Sequence, residues 1–203
     1  MGNVCNSAIL YRESICCFLN FVIKSTIMKK VLTIGGSSSK ESINKALAEY
    51  TGGLMSNVEL VKIDLNDYNL PLYSVDEETE NGFGEGIVKL NQQIESADGF
   101  IVSLAEHNGA YSAAFKNAFD WLTRIEGKLW RGKPMILLAT SPGARGGQSV
   151  LEIATDRFPR HNAELLASIS IPSFYDNFKE GKISNAELNE KLISAVEKLN
   201  AVI

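Results

Sequence analysis

The sequence predicts an α/β fold: a doubly wound, five-stranded parallel sheet in the order 2-1-3-4-5, with helices on both faces. Three observations predict it. From Met28 onward, short apolar runs alternate with amphipathic stretches, the rhythm of strand and crossover helix. The first, third and fourth of the apolar runs lack a polar face, as strands buried on both sides require. Unusual stretches follow those same three runs, where the ligand crevice of such a sheet opens.

The elements follow in order. "KKVLTIG" (29–35) reads as a buried strand ended by glycine, and 41–54 as a helix with Ile43, Leu47 and Leu54 apolar. "NVELVKID" (57–64) alternates at period two, the second strand. Residues 65–82 read as a long polar loop containing Pro71. A helix over 85–97 puts Ile87, Leu90 and Ile94 on one face, and "GFIVSLAE" (99–106) is the third strand. The helix over 112–127 carries the stripe Ala114, Phe115, Ala118, Phe119 and Leu122. "KPMILLATS" (133–141) and "ELLASISI" (164–171) are strands four and five; between them a helix over 146–162 breaks near Pro159. The final helix, 184–202, opens on a capping box of Ser184 and Glu187.

The 203 residues suit one globular domain, expected over 28–203. Twenty basic against 24 acidic residues give a net charge of −4, which excludes a strongly basic nucleic-acid footprint. Cys5, Cys16 and Cys17 all precede Met28, so the expected domain has neither a disulfide framework nor thiolate metal sites. His107 and His161 are its only histidines. A cytoplasmic, metal-free protein is expected, with no membrane partner.

Residues 1–27 read as an extension of doubtful function. "SICCFLNFVI" is about half the ~20 apolar residues of a membrane span. "KSTIMKK" after it lacks the small residues of a signal-peptide cleavage site. "MGNVCNS" approaches a myristoylation signal but has Asn6 where serine or threonine belongs. "MKKVLTIGG" is a typical opening for a domain that begins on its first strand.

After the first strand the chain reads "GGSSSKESIN" (35–44). Glycine permits a sharp turn and close approach to a ligand. The amides at a helix start favour an anion. Ser37, Ser39 and Ser42 add hydroxyls, and Asn44 an amide. An ordinary strand-to-helix turn fits the same residues, since serine is a favoured N-cap. Neither G-x-G-x-x-G nor G-x-x-x-x-G-K-[ST] is present, which argues against a dinucleotide fingerprint and NTP hydrolysis. After the third strand, "AEHNGAYSAAFKNAFDW" (105–121) exposes amides around Asn108 and Gly109 that suit the polar edge of a flat heterocycle. His107 and Tyr111 could stack on or flank it; a solvated loop histidine and a simply packed tyrosine fit the same positions. Phe115, Phe119 and Trp121 follow helical spacing and read as core; Lys116 and Asn117 read as polar-side residues or as fixing the loop. After the fourth strand, "SPGARGGQ" (141–148) is a second donor loop, with Arg145 facing an anion, a partner subunit or solvent.

Taken together, "GGSSSKESINKALA", "AEHNGAYSAAFKNAFDW" and "GKPMILLATSPGARGG" resemble the NADPH-dependent FMN reductase family over essentially 28–203. The resemblance implies a flavodoxin-like fold, non-covalent FMN and NADPH or NADH as co-substrate. It implies hydride transfer to FMN N5 and then to a quinone, azo compound, free flavin or similar small acceptor. It also implies a homodimer or homotetramer. By position, Ser37, Ser39, Ser42, Ile43 and Asn44 would surround the FMN phosphate. Glu106, His107, Asn108 and Gly109 would lie along the ring, mostly through backbone, and Ser141, Gly143 and Gly146 would close its other side. No catalytic side chain is assigned, because the cofactor carries the chemistry. A flavodoxin-like electron carrier without NAD(P)H activity is the alternative, against which the modest charge and open glycine loops argue.

Overall fold

The computed structural model describes residues 28–203; the expected extension over 1–27 lies outside them. Strands β1 (Lys29–Gly36), β2 (Val58–Ile63), β3 (Gly99–Leu104), β6 (Pro134–Thr140) and β7 (Glu164–Ile171) form one parallel sheet, in the order β2-β1-β3-β6-β7. Two-residue strands stand apart as hairpins: β4 (Glu106–His107) with β5 (Ala110–Tyr111), and β8 (Phe178–Lys179) with β9 (Lys182–Ile183). The sequence reading contained neither hairpin, and these short strands are why the sheet's last two members are the sixth and seventh strands of the chain rather than its fourth and fifth. β3 also ends at Leu104, two residues short of the expected 106, because Glu106 pairs with Tyr111 instead of continuing the ladder.

Helices α1 (Ile43–Gly53) and α7 (Ala186–Val202) cover one face; α3 (Glu85–Ser96), α4 (Ala113–Ile125) and α5 (Gln148–Arg160) cover the other. Strand side chains alternate across the pleat. Phe100, Val102 and Leu137 join Leu90, Phe119 and Phe158 in one core; Ile101, Ile136 and Leu138 join Leu47, Leu192 and Leu199 in the other. Every β3 residue is buried, as expected of a central strand covered on both faces.

Two local expectations are corrected, and the expected break near Pro159 falls one residue past it. The stretch read as a loop over 65–82 contains a 3-10 turn, Leu65–Asp67, and helix α2 (Val75–Asn81). Ser74 caps α2 by accepting from the Glu77 amide at 3.0 Å, with Asp76, Glu77 and Glu78 in the first turn. α2 has no buried residue, so no apolar stripe announced it. Helix α5 runs through Pro159 to Arg160. In the last turn the missing proline N–H removes a single bond, and the helix stops there anyway. The cap of α7 is Asn185, which accepts from the Leu188 amide at 3.1 Å; Ser184 donates instead to the carbonyls of Asp176 and Asn177. No helix among the described residues is long and apolar enough to cross a membrane.

Candidate functional site

Register brings the three predicted stretches to one edge. Gly36 of β1 lies beside Leu104 of β3, and Leu104 beside Ala139 of β6, so the loops that follow open side by side. Between them lies a cleft of about 180 Å³. Of the predicted residues, Ser37, Ser39, Ser42, Ile43, Asn44, Glu106, His107 and Ser141 line it; Asn108, Gly109, Gly143 and Gly146 stand in the adjoining loops outside that lining. Lys40 lines an adjoining groove of about 450 Å³ between α1 and the short helix α6 (Phe174–Asn177), which shares Glu41, Ser42, Ile43 and Tyr175 with the cleft.

The turn after β1 is shaped by close packing. A Cβ on Gly35 would stand 2.7 Å from the Lys45 Cα, so only glycine lets α1 cross this near. The Ser37 hydroxyl accepts from the Ser39 amide at 3.1 Å, and the Ser42 hydroxyl caps α1 by accepting from the Lys45 amide at 3.1 Å. The amides of Ile43 and Asn44, the first two of α1, have no acceptor among the described residues. They leave a donor-rich end for an anion.

Asn44 does something the sequence did not reveal. Its side chain is buried, and Oδ1 accepts from the Ser103 hydroxyl at 2.7 Å and the Thr140 amide at 3.1 Å. Its Nδ2 donates to the Thr140 carbonyl at 3.1 Å. The amide group thus fastens α1 to β3 and to the end of β6, and what Asn44 can offer the cleft is chiefly its main-chain N–H. Ser112 plays a similar part: it accepts from the Phe115 amide at 3.1 Å and donates to the Gly36 carbonyl at 2.8 Å, tying the start of α4 to the end of β1. Ser103 and Thr140 were legible only as polar residues inside apolar runs.

The second wall is the β4–β5 hairpin. Asn108 (φ 52°) and Gly109 (φ 76°) are both left-handed, as a two-residue type I′ turn requires. His107 is exposed on the rim. Tyr111 is turned the other way. Its ring packs among Phe115, Phe119 and Phe158, and its hydroxyl has no partner among the described residues. Burial pushes its pKa up to about 12. Tyr111 is therefore core, and the stacking alternative does not follow. Asn117 fixes the loop: it accepts from the Tyr73 amide at 2.8 Å and donates to the Pro71 carbonyl at 2.9 Å.

The third wall is the 141–147 loop. Gly146 and Gly147 are both left-handed (φ 59° and 76°), and a Cβ on Gly146 would stand 2.4 Å from the Ser170 hydroxyl. The Ser173 and Phe174 amides donate to the carbonyls of Gly143 and Ser141, each at 3.0 Å, seating α6 on the loop. Tyr175 of α6, 61% exposed, reaches the cleft from there, and no sequence signal marked it. Arg145 donates to the Ser149 hydroxyl at 3.0 Å and does not line the cleft.

The cleft lining holds the carboxylates of Glu41 and Glu106 and no lysine or arginine side chain. The nearest cation of α1, Lys45, is paired with Asp64 at 2.5 Å. That hydrogen bond raises the Lys45 pKa and lowers the Asp64 pKa. No group of three or more metal-ligating side chains occurs among the described residues. The arrangement suits an anion held by amides and hydroxyls, beside a flat group held by main-chain edges.

Residues 29–198 match the NADPH-dependent FMN reductase family. The chain belongs to that family. Among curated relatives of this reductase family member, a 2-hydroxy-1,4-benzoquinone reductase of Burkholderia sp is 36% identical over 119 residues, and a quinone reductase of Escherichia coli (strain K12) is 31% identical over 122. Each match covers 58% of this chain and 63% of the relative, so the chain spans under two thirds of their length. Among solved structures, FerB, a flavoenzyme NAD(P)H:(acceptor) oxidoreductase from Paracoccus denitrificans, superposes with a TM-score of 0.69 at 24% identity, covering 86% of this chain and 96% of that one. An FMN-dependent NADH-azoreductase from Bacillus anthracis, solved in complex with FMN, gives 0.51 at 17% identity, covering 86% and 98%. These likenesses establish the shared α/β fold.

Proposed function

We propose that this protein is an FMN-dependent NAD(P)H oxidoreductase acting on a quinone, azo compound, free flavin or similar small acceptor. One observation carries the reading: unpartnered amides and serine hydroxyls at the start of α1 open into the same cleft as the hairpin and the glycine loop. That donor set fits a phosphate ester joined to a flat heterocycle, the outline of FMN. The names of the quinone reductases among its relatives support a quinone acceptor.

When bound, FMN supplies the capacity to accept a hydride from a nicotinamide and pass two electrons to an acceptor. The chain's own residues position and shield. The hydroxyls of Ser37, Ser39 and Ser42 and the amides of Ile43 and Asn44 hold the phosphate, aided by the α1 dipole. Glu106, His107, Asn108 and Gly109 flank one side of the ring; Ser141, Gly143 and Gly146 flank the other and keep water from it. No side chain is assigned a proton transfer. The working unit is residues 28–203, in the cytoplasm, as a homodimer or homotetramer.

An anaerobic absorption spectrum tests this. Purified protein should carry a flavin band, or acquire one with FMN, and bleach on addition of NADPH or NADH. A colourless protein that takes up no FMN overturns the proposal; bound flavin that neither nicotinamide bleaches replaces it with the electron carrier.

A further inference from the structure

Helix α5 starts without a cap of its own. Its N-cap is Gly147, which has no side chain to offer. The Gln148 and Leu151 amides find the carbonyls of Arg145 and Gly147, at 3.0 and 3.1 Å. The Val150 amide is met from elsewhere: Oε2 of Glu106, 44 residues earlier in the chain, accepts from it at 3.1 Å. A carboxylate is the favoured partner at a helix N-terminus, where amide donors and dipole act together.

This bond joins two walls of the cleft. Glu106 belongs to the β4–β5 hairpin, which has two residue pairs and no strand pairing with the main sheet. Val150 is the third residue of α5, in the first turn after the glycine loop, which contributes Ser141 and Pro142 to the lining. So short a ladder is marginal alone. We propose that Glu106 is a positioning residue: through the Val150 amide, its carboxylate fixes the hairpin against the glycine loop and sets the width of the slot for the flavin ring. The inference rests on the flavin reading above and adds a side-chain role to a residue otherwise placed by its backbone.

Two variants of the full chain test it, Glu106→Ala and Glu106→Gln. The readouts are FMN affinity, from quenching of flavin fluorescence, and hydrogen exchange at the Val150 amide. Losing one charge-assisted bond, Glu106→Ala should loosen FMN by about tenfold and speed Val150 exchange. Glu106→Gln still presents an oxygen to the amide and should restore affinity to within about threefold. Wild-type affinity in Glu106→Ala overturns the proposal. So does equal weakening in both variants, which would mean that the charge acts on the flavin directly. Should Glu106→Ala fail to fold, Glu106→Gln and the wild-type exchange rate decide: a fast-exchanging Val150 amide in folded wild-type protein overturns it. If wild-type protein binds no FMN, the flavin reading fails, while Val150 protection still reports on the bond.

Discussion

Ser39, in the turn after β1, and Asn44, at the start of α1, were both read as ligands of one anion. Asn44 is 2% exposed and bonded to Ser103 and Thr140; Ser39 is exposed, and only its amide is engaged, by Ser37 within the turn. One polar group crosslinks a helix to two strands, while the hydroxyl of the other has no hydrogen bond among the described residues. Polar residues at the end of a parallel sheet thus divide by depth. Deep ones are bonded to the protein, since an orphaned buried donor is costly, and shallow ones remain open.

Substitutions ordered by depth probe that division. The largest effect belongs to Asn44→Ala, which strands the Ser103 hydroxyl and both main-chain groups of Thr140. It should cost about 3 kcal/mol or more in urea unfolding, and any loss of FMN should track unfolding. Near-wild-type stability with lost FMN affinity would erase the difference between the two residues.

The Lys45–Asp64 pair lies at intermediate depth, its side chains 34% and 23% exposed. The Asp64 pKa is lowered, chiefly by the Lys45 hydrogen bond. Its stabilisation is therefore present above the unfolded carboxylate value, about 4, and lost as pH falls through the lower folded value. The Lys45 pKa is raised, chiefly by Asp64, so its share is present below about 10.4 and lost as pH rises through the higher folded value. Urea midpoints across pH should fall at both ends in wild-type protein and fall less in Lys45→Met. Parallel profiles would show that the pair contributes nothing.

Ser39→Ala should have the smallest effect on stability, within about 0.5 kcal/mol. It should weaken FMN about threefold and leave riboflavin, which lacks the phosphate, unchanged. Equal weakening of both flavins would move Ser39 away from the phosphate.

The same depth rule explains what the sequence revealed. Apolar periodicity marked all five sheet strands and the helices with buried stripes, and the ends of β1, β3 and β6 marked the cleft. Helix α2 escaped because it buries nothing, although Ser74 followed by Asp76, Glu77 and Glu78 was a readable start. The β4–β5 hairpin escaped because its signal is two residues long, Asn108-Gly109, and the apolar run before it absorbed Glu106. For Tyr111 the sequence left stacking and packing both open; packing holds, because its neighbour Ser112 caps α4 and entry into that helix turns the ring into the core. The bonds of Asn44 and Glu106 join residues up to 96 and 44 positions apart, and no local pattern encodes such pairings.

The short hairpin has one more consequence. A flap of two residue pairs, held to the body by the Tyr111 ring and the Glu106–Val150 bond, should open at a lower temperature than the five-stranded sheet melts. Warmed gradually, the molecule passes through an interval in which the β-sheet signal is intact but one jaw of the cleft has come loose. Heat would then disable the cleft before denaturing the protein, and cooling would restore it without any refolding of the core.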